Sequence, residues 1–199
     1  MATEAEAIDA LLDKDHLIQS NGWFNSFMSR LSEDNAGNPI PWYVYSFVKF
    51  METRLRKDMN IFEFGSGHST LWYGKRVKTV VAVEEKGAWF DRIEHKATGN
   101  VTLLHRKGDD YSKAIKECTG LMMFDAICID GEERDKCAVN CLPFLKEDGV
   151  IIWDNSGANT GQHFTANGFK RLDFYGLTPV CTYENCTTVF YREKNCFNI

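Results

Sequence analysis

The feature that most restricts the fold of this chain is a regular alternation, from Asn60 to Asp154, of short apolar runs with stretches patterned for helix. The runs Ile61 to Phe64, Thr79 to Glu84, Val101 to His105, Phe124 to Asp130 and Val150 to Asp154 are short and rich in β-branched and aromatic residues, as strands are. Between them lie Ser69 to Arg76, Gly87 to Lys96, Tyr111 to Cys118 and Arg134 to Leu145, each long enough to cross back over a sheet as a helix. Strands apolar on both faces and joined by helices make a parallel sheet covered on both sides. The fold class is therefore α/β.

The two ends of the chain depart from this pattern. After a Gly-rich, polar stretch from Ser156 to Gly168, the segments Lys170 to Tyr175 and Thr187 to Arg192 read as strands with no helix between them. Such neighbours pair antiparallel, so a hairpin-like arm should close the sheet. Ahead of Asn60 the chain reads as helices, Ala5 to Gln19 and Trp42 to Arg56, around a turn-rich loop from Ser32 to Pro41. A chain of 199 residues suits one core. We read residues 1–58 as a helical extension or lid and 59–199 as the core of a single domain. Trp42 and Tyr43, beside two prolines, are the lid candidates.

The net charge of -5, with Lys and Arg scattered, provides no positive surface for a phosphate backbone, so nucleic acid is not the expected partner. The first residues carry acids rather than a basic leader. No apolar run approaches the roughly 18 residues of a membrane span. A cytoplasmic protein with no membrane contact is expected. The seven cysteines contain no C-x-x-C pair and read as reduced thiols, an odd count being ill suited to a disulfide framework.

The chemistry gathers at the carboxyl ends of the strands. The first strand runs into Glu63-Phe64-Gly65-Ser66-Gly67-His68-Ser69 and then a helix. Two glycines there let backbone approach a ligand closely, although a tight turn without a ligand has the same pattern. Glu84 ends the second strand 21 positions after Glu63, the βαβ distance at which a carboxylate accepts two ribose hydroxyls. Asp109 follows the third strand and is placed either to accept from an adenine amino group or to cap the next helix. Asp130, Asp154 and Asn155 follow the fourth and fifth strands; three such oxygen donors suit Mg2+ or Ca2+, or else line a substrate pocket.

Taken together, Asn60 to Arg192 resembles the class I S-adenosylmethionine-dependent methyltransferases, a Rossmann-like fold. The resemblance implies that Glu63, Gly65, Ser66, Gly67 and Ser69 embrace the methionine part of S-adenosylmethionine, that Glu84 binds its ribose, and that Asp109 and Asp130 complete the cofactor site. A narrower likeness, through Phe62 to Trp72, Asp130-Gly131 with Arg134, Asp154-Asn155-Ser156 and Thr188 to Arg192, is to largely uncharacterised bacterial-type methyltransferases. Asp130, Asp154 and Asn155 are also similar to the metal ligands of cation-dependent catechol and caffeoyl-CoA O-methyltransferases, but Glu133 stands where those enzymes carry a lysine.

The activity implied is methyl transfer to a small-molecule acceptor through an oxygen nucleophile. Positioning and desolvation supply most of the acceleration of such a step, and Asp130, Asp154 or His163 is the candidate base. His163 is otherwise a surface histidine. An NAD(P)-dependent oxidoreductase is the rival; Thr70 in place of the third glycine of G-x-G-x-x-G, and the acid at Glu63, weigh against it. A non-catalytic module keeping the fold is the other alternative.

Overall fold

The computed structural model describes residues 2–118 and 122–199. Four helices come first: α1 (Glu4–Leu12), α2 (Leu17–Ser20), α3 (Trp23–Ser29) and α4 (Tyr45–Glu52). The alternating region follows as β1 (Asn60–Phe64), α5 (His68–Gly74), β2 (Thr79–Glu84), α6 (Gly87–Glu94), β3 (Val101–His105), α7 (Asp109–Lys113), β4 (Phe124–Ile129), α8 (Arg134–Cys141) and β5 (Leu145–Asp154). It closes with α9 (Gln162–Ala166), β6 (Lys170–Gly176) and β7 (Asn185–Tyr191).

The strands form one seven-stranded sheet in the order β3-β2-β1-β4-β5-β7-β6. β1 lies between parallel partners, with Phe62 opposite Val81 on one side and Ile127 on the other. β7 is inserted antiparallel between β5 and β6, pairing Trp153 with Thr188 and Leu172 with Val189. The expected antiparallel arm is present, and it enters the sheet rather than merely flanking it.

Alternation along the central strands builds two buried layers. Ile61, Val80, Cys128 and Ile152 face α4 and α5, packing with Phe47, Met51, Trp72 and Tyr73. Phe62, Phe64, Ile127 and Ile151 face the other way, against Tyr111, Ile115, Cys141 and Phe164. Period-2 side-chain direction makes both layers from one run of apolar residues. Glu63 falls on the first of these faces and is fully buried. All seven cysteines are free thiols, five of them buried.

The N-terminal region corrects several expectations. The helix expected over Ala5 to Gln19 is broken between α1 and α2. There Asp13 Oδ1 accepts from Asp15 N at 2.8 Å, and His16 Nδ1 caps α2 by accepting from Ile18 N at 3.2 Å. Local side-chain bonds of this kind compete with helix continuation. α1 buries none of its residues. The helix expected from Trp42 starts only at Tyr45, because the preceding backbone is committed to the far end of the sheet. Val44 N donates to Thr187 Oγ1 at 3.2 Å and Tyr45 N to the Leu177 carbonyl at 3.0 Å. Trp23 Nε1 donates to the Cys181 carbonyl at 2.7 Å, so α3 is tied to the same C-terminal region. Among the described residues no helix is long and apolar enough to cross a membrane.

Candidate functional site

The sheet order reverses direction at β1 and β4, and a crevice opens there at the carboxyl ends of the strands. Backbone bonds hold its floor: Gly65 N donates to the Val83 carbonyl at 2.9 Å, and Asp130 N and Gly131 N donate to the Phe64 carbonyl at 3.0 and 2.8 Å. Gly65 sits at φ +100°, a conformation that favours glycine, and a Cβ on it would lie 3.0 Å from Gly131 N. A Cβ on Gly131 would fall 1.9 Å from Tyr111 Oη and 3.0 Å from the Gly65 backbone. The two turns and the Tyr111 ring are thus in direct contact, and both glycines are demanded by that contact.

Under this floor the Glu63 carboxylate accepts from Ser69 Oγ and, at 2.5 Å, from Thr70 Oγ1. Complete burial raises its pKa to about 7 against those two bonds. Ser69 therefore serves Glu63 from below the turn. Glu84, also buried, accepts four bonds: from Ser66 N at 2.9 Å and Ser66 Oγ at 3.1 Å, and from Glu85 N and Lys86 N at 3.0 and 2.9 Å. That fills the acceptor capacity of a carboxylate and binds the end of β2 to the glycine turn.

Above the floor lies a cavity of about 560 Å3, walled by Gly65 to Ser69, Glu84, Trp89, Tyr111, Asp130 and Gly131. Arg134, Lys86 and Glu132 border it, and Leu31, Ser32 and Trp42 bring in the segment ahead of α4. Its volume is that of a small-molecule site. Trp89, on the first turn of α6, donates its Nε1 to the Ser66 carbonyl. Three buried polar atoms of the lining lack hydrogen-bond partners: Ser32 Oγ, His68 Nε2 and Tyr111 Oη.

Of the residues expected here, Glu63, Gly65, Ser66, Gly67, Ser69, Glu84 and Asp130 come together in or directly beneath the cavity. Others do not. Asp109 points away on α7, 70% exposed and paired with Lys136 Nζ at 3.1 Å; Tyr111, two residues on, lines the cavity in its place. His163 lies on α9 against Phe164, with ring centroids 5.7 Å apart, and is not part of the cavity wall. Asp154 is buried outside the wall, accepting from Thr187 Oγ1 at 2.6 Å, and burial raises its pKa to about 6. Asn155 is exposed at φ +51°, facing Asn185 at 3.4 Å. Of the two lid candidates, Trp42 borders the cavity, whereas Tyr43 is wholly buried in the core.

The oxygen cage expected of Asp130, Asp154 and Asn155 is replaced by a guanidinium. Arg134 donates Nε to the Gly131 carbonyl at 2.8 Å and Nη2 to the Asp130 carbonyl at 2.8 Å and to Asn155 Oδ1 at 3.2 Å. Its Nη2 lies 3.6 Å from Asp130 Oδ1, and Nη1 donates to the Asp154 carbonyl. Burial and the neighbouring Asp154 push the Asp130 pKa well up, with Arg134 opposing. A fixed cation already sits among these groups, so they do not fit Mg2+ or Ca2+. Among the described residues no cluster of three or more His, Cys, Asp or Glu side chains is placed to hold a metal.

Sequence reasoning missed Trp89, Tyr111, Ser32, Leu31 and the part taken by His68. Trp89 and Tyr111 had a legible signal, an aromatic residue a few positions beyond the acid that ends or follows a strand. Ser32 and Leu31 had none, because only tertiary folding brings them to the turn.

No family model and no curated protein matches the chain. Solved structures do match. A protein of Methanobacterium thermoautotrophicum described as precorrin 8W decarboxylase superposes with a TM-score of 0.58 at 18% identity, over 82% of this chain and 97% of that one. Precorrin-6Y C5,15-methyltransferase of Geobacter metallireducens gives 0.55 at 13% identity, over 74% and 87%. An rRNA methylase of Streptococcus thermophilus gives 0.54 at 12%, over 73% and 93%. These proteins act on unlike substrates, so the shared architecture does not itself exclude a nucleic-acid acceptor. The mostly parallel sheet with its inserted antiparallel strand, and the glycine turn at its switch point, give this chain the class I S-adenosylmethionine-dependent methyltransferase fold.

Proposed function

We propose that the cavity binds S-adenosylmethionine and that the protein is a cytoplasmic enzyme transferring its methyl group to an oxygen of a small-molecule acceptor. The observation that carries this reading is the joining of three parts in one cavity: the Gly65–Gly67 turn, the buried Glu63 under it and Glu84 at its lip. The bound cofactor would supply an electrophilic methyl on a sulfonium. Glycine backbone at Gly65 and Gly67 accommodates its amino-acid end, and Glu84 accepts from a ribose hydroxyl that takes over the place of the Ser66 hydroxyl. Trp89 and the unpartnered Tyr111 hydroxyl wall the base. Leu31 and Trp42 exclude water from the acceptor side, where desolvation and alignment count most.

The dinucleotide reading is disfavoured by Thr70. At the position of the third glycine it is fully buried, accepting from Gly67 N at 2.9 Å while donating to Glu63. The preference for a small molecule rests on the net charge of -5 and on the segment that narrows the cavity.

Calorimetry with S-adenosylmethionine, S-adenosylhomocysteine and NADH tests the assignment, with a bulk tRNA and rRNA binding assay alongside. The first two ligands should bind and the others should not. Glu84→Ala should weaken S-adenosylhomocysteine by about 1.5 to 3 kcal/mol, roughly tenfold to over a hundredfold. Undiminished affinity in that variant refutes the role of Glu84, and tight RNA binding refutes the small-molecule acceptor.

A further inference from the structure

His68 occupies the glycine turn, its ring lining the cavity and only 5% of its surface exposed. Its Nδ1 lies 2.7 Å from the Ser32 carbonyl oxygen. A carbonyl only accepts, so Nδ1 carries the hydrogen, and in the neutral ring Nε2 is left as a lone pair. That lone pair has no partner, and neither does the Oγ of Ser32. Two unpartnered buried polar atoms, linked through one hydrogen bond at the wall of a cavity, are costly unless something is meant to meet them. Leu31 and Trp42 beside them are apolar, which suits the body of an aromatic or aliphatic molecule.

Resting on the methyl-transfer reading above, we propose that His68 Nε2 is the general base of this site, and that the acceptor is a neutral hydroxyl on an apolar body, a phenol being the simplest case. The hydroxyl oxygen attacks the methyl carbon, and the carbon–sulfur bond breaks with its electron pair going to sulfur. The hydroxyl proton passes to Nε2, giving a methyl ether, S-adenosylhomocysteine and an imidazolium that later releases its proton to water. The Nδ1 bond to Ser32 holds the tautomer throughout, as an orienting acceptor does for other catalytic histidines. An ammonium acceptor would bring a second positive charge beside the sulfonium; a hydroxyl does not. For the hydroxyl to reach Nε2, side chains of the cavity wall must turn aside while the Ser32 carbonyl keeps its bond to Nδ1.

Burial lowers the His68 pKa from its ordinary 6.5, opposed by the bond to the Ser32 carbonyl and by Glu33 on the overlying segment and assisted by Lys96, just beyond α6, and Arg92 on it. The ring is therefore neutral at pH 7. The rate should rise with pH through a midpoint below 6.5 and lose nothing on the alkaline side through this group.

The test uses the full chain with 15N-labelled imidazoles, S-adenosylhomocysteine, and phenol or its non-donating analogue anisole. In the free protein Nε2 of His68 should resonate as the unprotonated nitrogen. Saturating phenol should shift it towards the hydrogen-bonded value, and anisole should not. His68→Asn keeps a donor for the Ser32 carbonyl but removes the base. With binding of S-adenosylhomocysteine measured alongside and the cofactor kept saturating for the variant, it should transfer methyl to phenol about a hundredfold more slowly or worse, with the acid limb of the pH profile gone. A proton on Nε2 in the free protein, an Nε2 signal unmoved by phenol, no phenol-dependent transfer by the wild type, or an Asn variant of wild-type rate would each overturn the proposal while leaving cofactor binding intact. Failure of the wild type to bind S-adenosylhomocysteine would instead bring down the methyl-transfer reading itself.

Discussion

A carboxylate held at 0% exposure on an interior strand of a sheet is an expensive residue, and Glu63 lowers the cost by remaining protonated up to about pH 7. A folded-state pKa raised above its ordinary 4.5 means that the folded protein binds the proton more tightly than the unfolded chain. The stability that this proton contributes is full below about pH 4.5 and drains away as pH rises towards 7, by roughly 3 kcal/mol. Asp154, raised to about 6, adds to the same trend. Urea unfolding of the ligand-free protein at about pH 5 and about pH 8 should therefore show lower stability at the higher pH. Glu63→Gln keeps a side chain able to bond Ser69 and Thr70 but does not titrate, and it should flatten most of that dependence. Equal slopes for the two proteins would mean that Glu63 is charged in the folded state throughout.

Among the elements, the tightest junction is where the turns after β1 and β4 meet the ring of Tyr111 on α7. An alanine Cβ at Gly131, 1.9 Å from Tyr111 Oη and 3.0 Å from Gly65 backbone, forces movement in all three. Gly131→Ala should cost about 1 to 3 kcal/mol in unfolding and weaken cofactor binding. Adding Tyr111→Phe should recover part of the loss by removing the nearest atom, the remaining contact with Gly65 being untouched; the readout is a double-mutant cycle on melting temperature. The strands of this region were legible in the sequence because a two-sided buried strand is nearly continuous in apolar residues, as Val80 to Val83 and Ala126 to Ile129 are. The glycine turn was legible too. What sequence spacing could not supply was direction. Asp109 and Tyr111 lie two positions apart at the start of a helix, which places them on different faces, and only packing decides which one meets the cavity. Likewise the start of α4 is fixed by bonds to Thr187 and Leu177, partners more than a hundred residues away. The guanidinium of Arg134 inserted among the expected metal ligands is a tertiary fact of the same kind.

At the scale of the whole molecule, that guanidinium predicts indifference to divalent cations. Melting temperature at fixed cofactor concentration should not change on addition of Mg2+ or Ca2+, since a ligand of the folded state raises it only by binding. A rise that disappears in Asp154→Ala would restore the cation site. The first helix makes a second global prediction. α1 buries nothing and leaves Ile8, Leu11 and Leu12 exposed at 50%, 44% and 53%, so removing residues 2–12 should shift unfolding free energy by less than about 0.5 kcal/mol.

The C-terminal hairpin bears on the order in which the site is assembled. Trp23, Val44 and Tyr45, which flank the segment bearing Leu31, Ser32 and Trp42, take their anchoring bonds from Cys181, Thr187 and Leu177. During synthesis on the ribosome the parallel strands through β5 emerge before any of those anchors do, so the cavity floor is made first and stays uncapped while the residues from Lys170 on are still in the exit tunnel. A nascent chain whose emerged part stops just before Lys170 should leave residues 21–45 open to proteolysis, and emergence of the hairpin should protect them.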